Sequence, residues 1–270
     1  MPTLSPTLGL AMLSHCCIWC LEHADGGHEE HIIPEAIGCP PGFVLPGTVV
    51  CRKCNNGLSD LDRAVIDEFD FPAFMAGVPR KKGRPPAIRS RGNVLATVEP
   101  SGPTYTFNMD PIPIKAHDGS RLAAYRGSKR DIRAKFTKQG DAATINFEIT
   151  FGQNRKFLRG VTKIAFSSLA FFLGAPLARS PAFTPIRRFV RHGVGDRHFL
   201  LTFDSASTYS NRVWPPYVSP SGEYAVTFRI AFVEFLVDLS QEETFLSTFQ
   251  SKAPEIFGEK NWCTLPVKPA

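Results

Sequence analysis

The chain has 270 residues, 43% of them apolar and 21% charged, a composition that fits a folded globular protein and excludes a disordered or fibrous one. Its net charge of +6 is unevenly spread: residues 1–75 hold 3 Lys/Arg against 10 Asp/Glu, whereas residues 76–165 hold 18 against 6. An acidic head followed by a strongly basic stretch suits a polyanionic partner, with a solvated basic face as the plain alternative.

The opening stretch MPTLSPTLGLAML carries two prolines and no basic segment, so residues 1–14 read as a loose, disordered tail and not as a targeting signal. The longest apolar run, IAFSSLAFFLGAPLA, is shorter than the roughly 20 residues a membrane span needs, which predicts a cytoplasmic chain with no membrane partner. Four of the 7 cysteines form two Cys-x-x-Cys pairs, Cys17/Cys20 and Cys51/Cys54. Each pair turns two thiolates to one side of a tight loop, and two such loops complete a four-sulfur site for Zn²⁺. With no coordination position left for water, that zinc is structural. It supplies on the order of 10 kcal/mol of folding energy to a head whose own core is small. Cys16 could stand in for Cys17, but only Cys17 keeps the two-residue spacing; Cys16, Cys39 and Cys263 read as buried or idle thiols.

Between the cysteine pairs lies HEEHIIPEAIG, and the second pair runs directly into Asn55 and Asn56. A strand carrying Glu30 and His31, a second strand in GTVVC and a helix opening with Asn55 make a ββα arrangement. It offers a carboxylate, an imidazole and an amide oxygen to one concavity. That set suits phosphodiester hydrolysis, in which a hard divalent cation takes oxygen ligands and an imidazole takes a proton from water. The helix itself is legible in GLSDLDRAVIDEFDFPAF, where Leu58, Leu61, Val65 and Phe69 recur at three- and four-residue spacings, and Pro72 is expected to bend or end it. Asp62 lies on the same helical face as Asn55, either orienting a ligand or serving as a surface acid. His15, His23 and His28 read as surface residues.

The combination CIWC…EEHIIPEAIG…VVCRKCNNGLSDLD resembles the HNH endonuclease superfamily, in the branch whose ββα-metal motif is braced by two zinc knuckles. The likeness covers about residues 15–70. It implies a metal-dependent enzyme that cuts DNA, with His31 as general base and Mg²⁺ or a similar cation held by Glu30 and Asn55. The family's middle asparagine has no counterpart at residues 46–48. Neighbours on an ideal strand point to opposite faces, so Glu30 and His31 converge only if the strand twists or bulges; otherwise Glu29, on the face of His31, is the better ligand.

Residues 76–92 form a basic linker. Its segment RKKGRPP, with Arg80, Lys81, Lys82 and Arg84, resembles an AT-hook in which Lys82 replaces the first core arginine. The resemblance implies contact with the minor groove of DNA; a plain charged linker is the alternative. From residue 93 to 270 strands are expected in NVLATVE, TINFEITFG, HFLLTFD and YAVTFRIAFVEFLV. Helices are expected in VTKIAFSSLAFFLGA and in TPIRRFVRHG. The first is apolar almost all round and should be buried. The second has Thr184 as its cap, Pro185 in first position and Gly193 past its end. Arg187, Arg188, Arg191 and His192 make its C-terminal half basic, to complement the helix dipole or to touch phosphate. This part carries no recognisable chemistry and is a candidate homodimerisation unit.

The expected fold is therefore α+β: a small zinc-braced ββα-metal domain at 15–75, followed by a larger mixed α+β domain at 93–270. The expected activity is DNA hydrolysis. A non-catalytic zinc module that binds nucleic acid through the basic middle segment is the alternative, and a scaffold protein is a third.

Overall fold

The computed structural model describes residues 15–76 apart from 25, residue 78, the strand backbones at 87–89, 95–99, 102–104, 133–139 and 142–148, and residues 154–203, 209–241, 243, 246 and 262–264. Arg80, Lys81, Lys82 and Arg84 lie outside the described residues, as does the 1–14 tail.

The head opens with strand β1 (Glu29–His31), which pairs antiparallel with β2 (Val44–Pro46). A 3-10 turn, Glu35–Ile37, sits between them and is closed by Gly38 at φ 85°. Helices α1 (Arg52–Gly57) and α2 (Ser59–Met75) follow. The order strand–strand–helix is the one expected, but the second strand lies ahead of GTVVC. Residues 47–50 instead turn back, with the amides of Val49 and Val50 donating to the Pro46 carbonyl at 2.8 and 3.2 Å. Gly47 is packed so tightly that a Cβ there would lie 2.8 Å from the Gly26 carbonyl carbon, and this inward turn ends the strand. Pro72 does not end α2. It forfeits one donor, yet its carbonyl still accepts from Ala76 N at 3.0 Å, and the buried Phe69 and Ala73 hold the last turn against the core.

Inside the segment expected to be a linker lies a strand, β3 (Ala87–Arg89), which pairs with β4 (Leu95–Glu99) and, through it, with β5 (Gly102–Thr104) in a three-stranded antiparallel ribbon. The hairpin β6 (Arg133–Gln139) with β7 (Ala142–Glu148) follows. Helix α3 (Arg155–Leu173) is capped by the Asn154 side chain, which accepts from Lys156 N at 2.9 Å. Its residues from Phe157 to Ala170 are almost all buried, as its continuous apolar surface requires. The short α4 (Ala175–Ala178) and a 3-10 turn, Pro181–Phe183, lead into α5 (Thr184–His192). Thr184 is the first helical residue, not the cap: the 3-10 turn delivers the chain already helical, with Thr184 at φ −57°, ψ −42°. Gly193 terminates α5 at φ 70°, as expected.

The remaining strands, β8 (Phe199–Phe203), β9 (Arg212–Val213), β10 (Tyr217–Val218), β11 (Tyr224–Ile230), β12 (Val233–Asp238) and β13 (Cys263–Thr264), form one antiparallel sheet in the order β10-β11-β12-β8-β13, with β9 also pairing β11. YAVTFRIAFVEFLV is thus two strands, reversed by Ala231 in a left-handed conformation (φ 58°). Strand β12 is buried along its whole length. The class is mixed α+β.

One buried cluster runs from Cys17, through α2 and α3, into β11 and β12. Phe69 of α2, Phe157 of α3 and Phe235 of β12 meet edge to face or tilted at 6.0–6.3 Å, and Trp19 from the first knuckle packs on Phe166 of α3 at 5.1 Å. The head and the C-terminal part therefore share a core. At Gly160 the two long helices touch backbone to side chain: a Cβ there would lie 2.6 Å from Val65 Cγ2 and 2.8 Å from the Leu61 carbonyl oxygen.

Candidate functional site

The sulfur atoms of Cys17, Cys20, Cys51 and Cys54 all lie within 4.8 Å of one another, and Cys20 Sγ is 3.7 Å from Cys51 Sγ. Zinc–sulfur bonds of about 2.3 Å in a tetrahedron place sulfurs about 3.8 Å apart, so the cluster is positioned to bind a metal ion and fits structural zinc. Local hydrogen bonds build each turn. Trp19 N donates to Cys17 Sγ and Cys54 N to Cys51 Sγ, both at 3.4 Å, and Ile18 N reaches across to the Val49 carbonyl at 2.9 Å. The thiols cannot all ionise unaided. A hydrogen bond from Cys54 holds Cys17 down to about 5, burial pushes Cys20 up to about 11, and Cys54, donating to Cys17, is pushed up further. A divalent cation removes that conflict, because thiolate is the form that ligates. Cys17, not Cys16, is the member of the cluster. Cys39 stands apart, its thiol donating to the Phe43 carbonyl at 3.3 Å.

Strand β1 is regular. Glu29 pairs with Pro46, Glu30 with Leu45 and His31 with Val44, one for one and without a bulge. The pleat therefore sends Glu30 one way and Glu29 with His31 the other. Glu29 is exposed and His31 half-buried, whereas Glu30 is 2% exposed. The Glu30 carboxylate meets the ammonium of Lys163, from the middle of α3, at 3.0 Å. The same ammonium donates to both oxygens of Asp62, on α2, at 2.7 and 2.9 Å. Burial alone would depress Lys163, but Glu30 and Asp62 more than offset it and hold the ammonium charged; burial pushes the Glu30 carboxyl up against the pull of Lys163. A carboxylate sealed in this way does not fit a cation that must also touch a nucleic-acid phosphate. Asn55 sits half-buried in α1, one residue past the last cysteine. Among the described residues, no hydrogen bond or ion pair takes the side chain of Glu29, His31 or Asn55, and the four cysteines are the one metal-competent group of His, Cys, Asp and Glu.

Family models, curated proteins and solved structures were all compared with this chain, and none matches. The site stands on its own residues.

Sequence reasoning missed Lys163. Its signal was a single ammonium in the otherwise apolar helix VTKIAFSSLAFFL, where a buried charge requires a partner. It also overcounted the basic helix end. Arg187 is 4% exposed and spends its guanidinium on the carbonyls of Ala178 and Ser180 and on Thr184 Oγ1, at 2.9–3.0 Å. Arg188 and His192 are exposed, and Arg191 is half-buried with a bond to the Trp19 carbonyl at 3.4 Å. Arg191 and His192 join Cys20, Lys53 and Cys54 around a cavity of about 250 Å³ beside the knuckles. His28 is folded into the turn, its Nδ1 3.1 Å from the Gly26 carbonyl, not displayed on the surface. Among the described residues no helix is long and apolar enough to cross a membrane.

Proposed function

We propose that this chain is a zinc-braced HNH-type endonuclease that hydrolyses DNA phosphodiester bonds, with His31 as general base. The observation that carries the reading is the strand–strand–helix unit closed by a complete four-cysteine cluster, on which Glu29, His31 and Asn55 remain unclaimed by any described side chain. We assign the carboxylate role to Glu29 and not to Glu30, because a regular ladder leaves Glu29 on the face of His31. Glu29 and Asn55 would hold a divalent cation, which would neutralise charge at the phosphate. The imidazole takes the proton of the attacking water as its oxygen bonds to phosphorus and the bond to the leaving sugar oxygen breaks. Lys53, Arg188 and Arg191 supply positive charge for the nucleic-acid backbone.

Supercoiled plasmid incubated with the protein, with and without Mg²⁺, tests this. The expected result is metal-dependent nicking that disappears in His31→Ala and falls in Glu29→Ala, with one equivalent of zinc retained in both. Plasmid left intact by the wild type, or cut as well by His31→Ala, sinks the reading.

A second reading, a zinc module that binds nucleic acid without cutting it, is favoured by one observation: the carboxylate that the family pattern assigns to the cation is sealed against Lys163. It expects plasmid retardation on a gel and no nicking under any metal.

A further inference from the structure

The buried meeting of Glu30, Asp62 and Lys163 has the form of a cation site. Three carboxylate oxygens, one from Glu30 and two from Asp62, converge on a single positive centre at 2.7–3.0 Å. Lys163 and Glu30 have side chains 1% exposed, and Asp62 closes the outer side at 24%. The second oxygen of Glu30 is buried and has no hydrogen-bond partner, so the carboxylate has ligating capacity the ammonium does not use. The two carboxylates thus share one positive centre, with Glu30 sealed behind it and Asp62 at its partly exposed rim. The neighbouring Asp60–Lys156 pair, 2.8 Å apart, is exposed and does not supply one.

The carboxylates come from the head, β1 and α2, whereas the ammonium arrives on α3, about a hundred residues later in the chain. We infer that Lys163 is the resident cation of a divalent-type carboxylate site, and that docking of α3 keeps that site closed to metal ions. The family pattern's metal-binding acid is thus served in this chain by an internal ammonium. This goes beyond the nuclease reading and does not depend on it, since it is a statement about which cation Glu30 and Asp62 hold.

Lysine fits the role physically. Its compact charge sits on a flexible stem that apolar neighbours can bury. It cannot dissociate, so the head stays clamped to α3 whatever the metal supply. Replacing Lys163 with Met keeps most of the stem and removes the charge. The two carboxylates are then left facing each other across the space of the ammonium, and a hard cation with oxygen preference is the species that satisfies them.

The experiment is Mn²⁺ binding to the full-length, zinc-loaded protein, followed by electron paramagnetic resonance of free Mn²⁺. Lys163→Met should bind one Mn²⁺ at least tenfold more tightly than the wild type, and adding Glu30→Gln to that variant should abolish the gain. In a Glu29→Ala background, which removes any ion held at Glu29 and Asn55, Glu30→Gln should leave the residual Mn²⁺ binding unchanged. A Glu30-dependent Mn²⁺ site in that background, or no gain in folded Lys163→Met, overturns the inference. A second measurement needs no variant at Lys163. The wild-type ¹⁵N ammonium signal of Lys163 should exchange slowly and survive millimolar Mg²⁺ unshifted, and its displacement by Mg²⁺ would equally overturn it. Loss of plasmid nicking alone bears on the nuclease reading and leaves these outcomes unaffected.

Discussion

Gly160 decides how closely α2 and α3 approach, and Gly160→Ala measures what that approach is worth. In a helix interior alanine is favoured over glycine by about 1 kcal/mol, so local propensity alone predicts a more stable protein. The contact geometry points the other way. The new Cβ would lie 2.6 Å from Val65 Cγ2 and 2.8 Å from the Leu61 carbonyl oxygen, and the second of these is backbone that cannot rotate aside. Forcing a methyl into a filled core costs about 1–3 kcal/mol, and a clash with backbone belongs in the upper half of that range, so the net effect is a loss of about 1–2 kcal/mol. At this chain length that corresponds to a fall in Tm of roughly 2–8 °C. Lys163 lies one turn further along α3, so the same displacement lengthens its bonds to Asp62. Circular dichroism melts of the zinc-loaded protein provide the assay. An unchanged or raised Tm would refute the reasoning, because it would mean that the helices separate at no cost and that Gly160 is incidental.

Cys20→Ser should reduce bound zinc from one equivalent to a small fraction and redshift the emission of Trp19, which is 1% exposed beside the cluster; full zinc retention by atomic absorption would count against the four-sulfur site. Asn211 donates to the carbonyls of Ile37 and Gly38, the latter at 2.7 Å, and accepts from Ala231 N at 2.9 Å. Asn211→Ala leaves Gly38 O and Ala231 N without this partner, while Ile37 O keeps the Tyr209 hydroxyl, and should cost about 2–3 kcal/mol in urea unfolding; a change below about 0.5 kcal/mol would show that the bonds are not formed. The pKa of Lys163 is raised above that of a free lysine, so its stabilisation is complete below about pH 10 and fades only as pH climbs through the folded-state value. The stability gap between wild type and Lys163→Met should accordingly hold or widen from pH 6 to about 10, because in the variant the buried Glu30 carboxyl has lost the cation that pulls it down, and a gap already shrinking between pH 6 and 9 would contradict the pairing.

The parts legible in the sequence were those fixed by short-range geometry. Two Cys-x-x-Cys spacings define a four-sulfur cluster without help from the rest of the chain, and the core face of α2 follows from the spacing of Leu61, Val65 and Phe69, whereas Leu58 lies at the break between α1 and α2. Other features depended on tertiary packing and left weak local traces. The reversal between β11 and β12 turns on Ala231, which carries no Gly or Asn signal, because the ladder on either side enforces the left-handed residue. Strand β2 came earlier than GTVVC because Gly47 is pressed against Gly26, a contact that no composition reports. The family pattern put Glu30 beside His31, while the pleat of a regular strand placed them on opposite faces. Lys163 shows the limit best: the sequence displays an ammonium in an apolar helix, but its partners lie 101 and 133 positions away at Asp62 and Glu30.

The division of labour between zinc and helix α3 follows from these contacts. A four-cysteine cluster fixes the two knuckles relative to each other, but it does nothing to bury what they expose. Ile18 and Trp19 are buried in the shared core, in which Trp19 rests on Phe166. The carbonyls of the head are also taken from outside it: Cys16 O by Arg179 at 2.7 Å, Ile37 O by Tyr209 at 2.7 Å and Trp19 O by Arg191. Among the described residues the charge on Glu30 is met by Lys163 alone, and truncating one partner of such a buried pair costs about 3–5 kcal/mol because the other is stranded. A metal ion on the four cysteines would set the local shape of this strand–strand–helix unit, while α3 supplies apolar cover and counter-charge. Any catalytic geometry at His31 and Asn55 depends on both, since the strand bearing His31 is held in place by the residue next to it, through an ion pair with the far half of the chain.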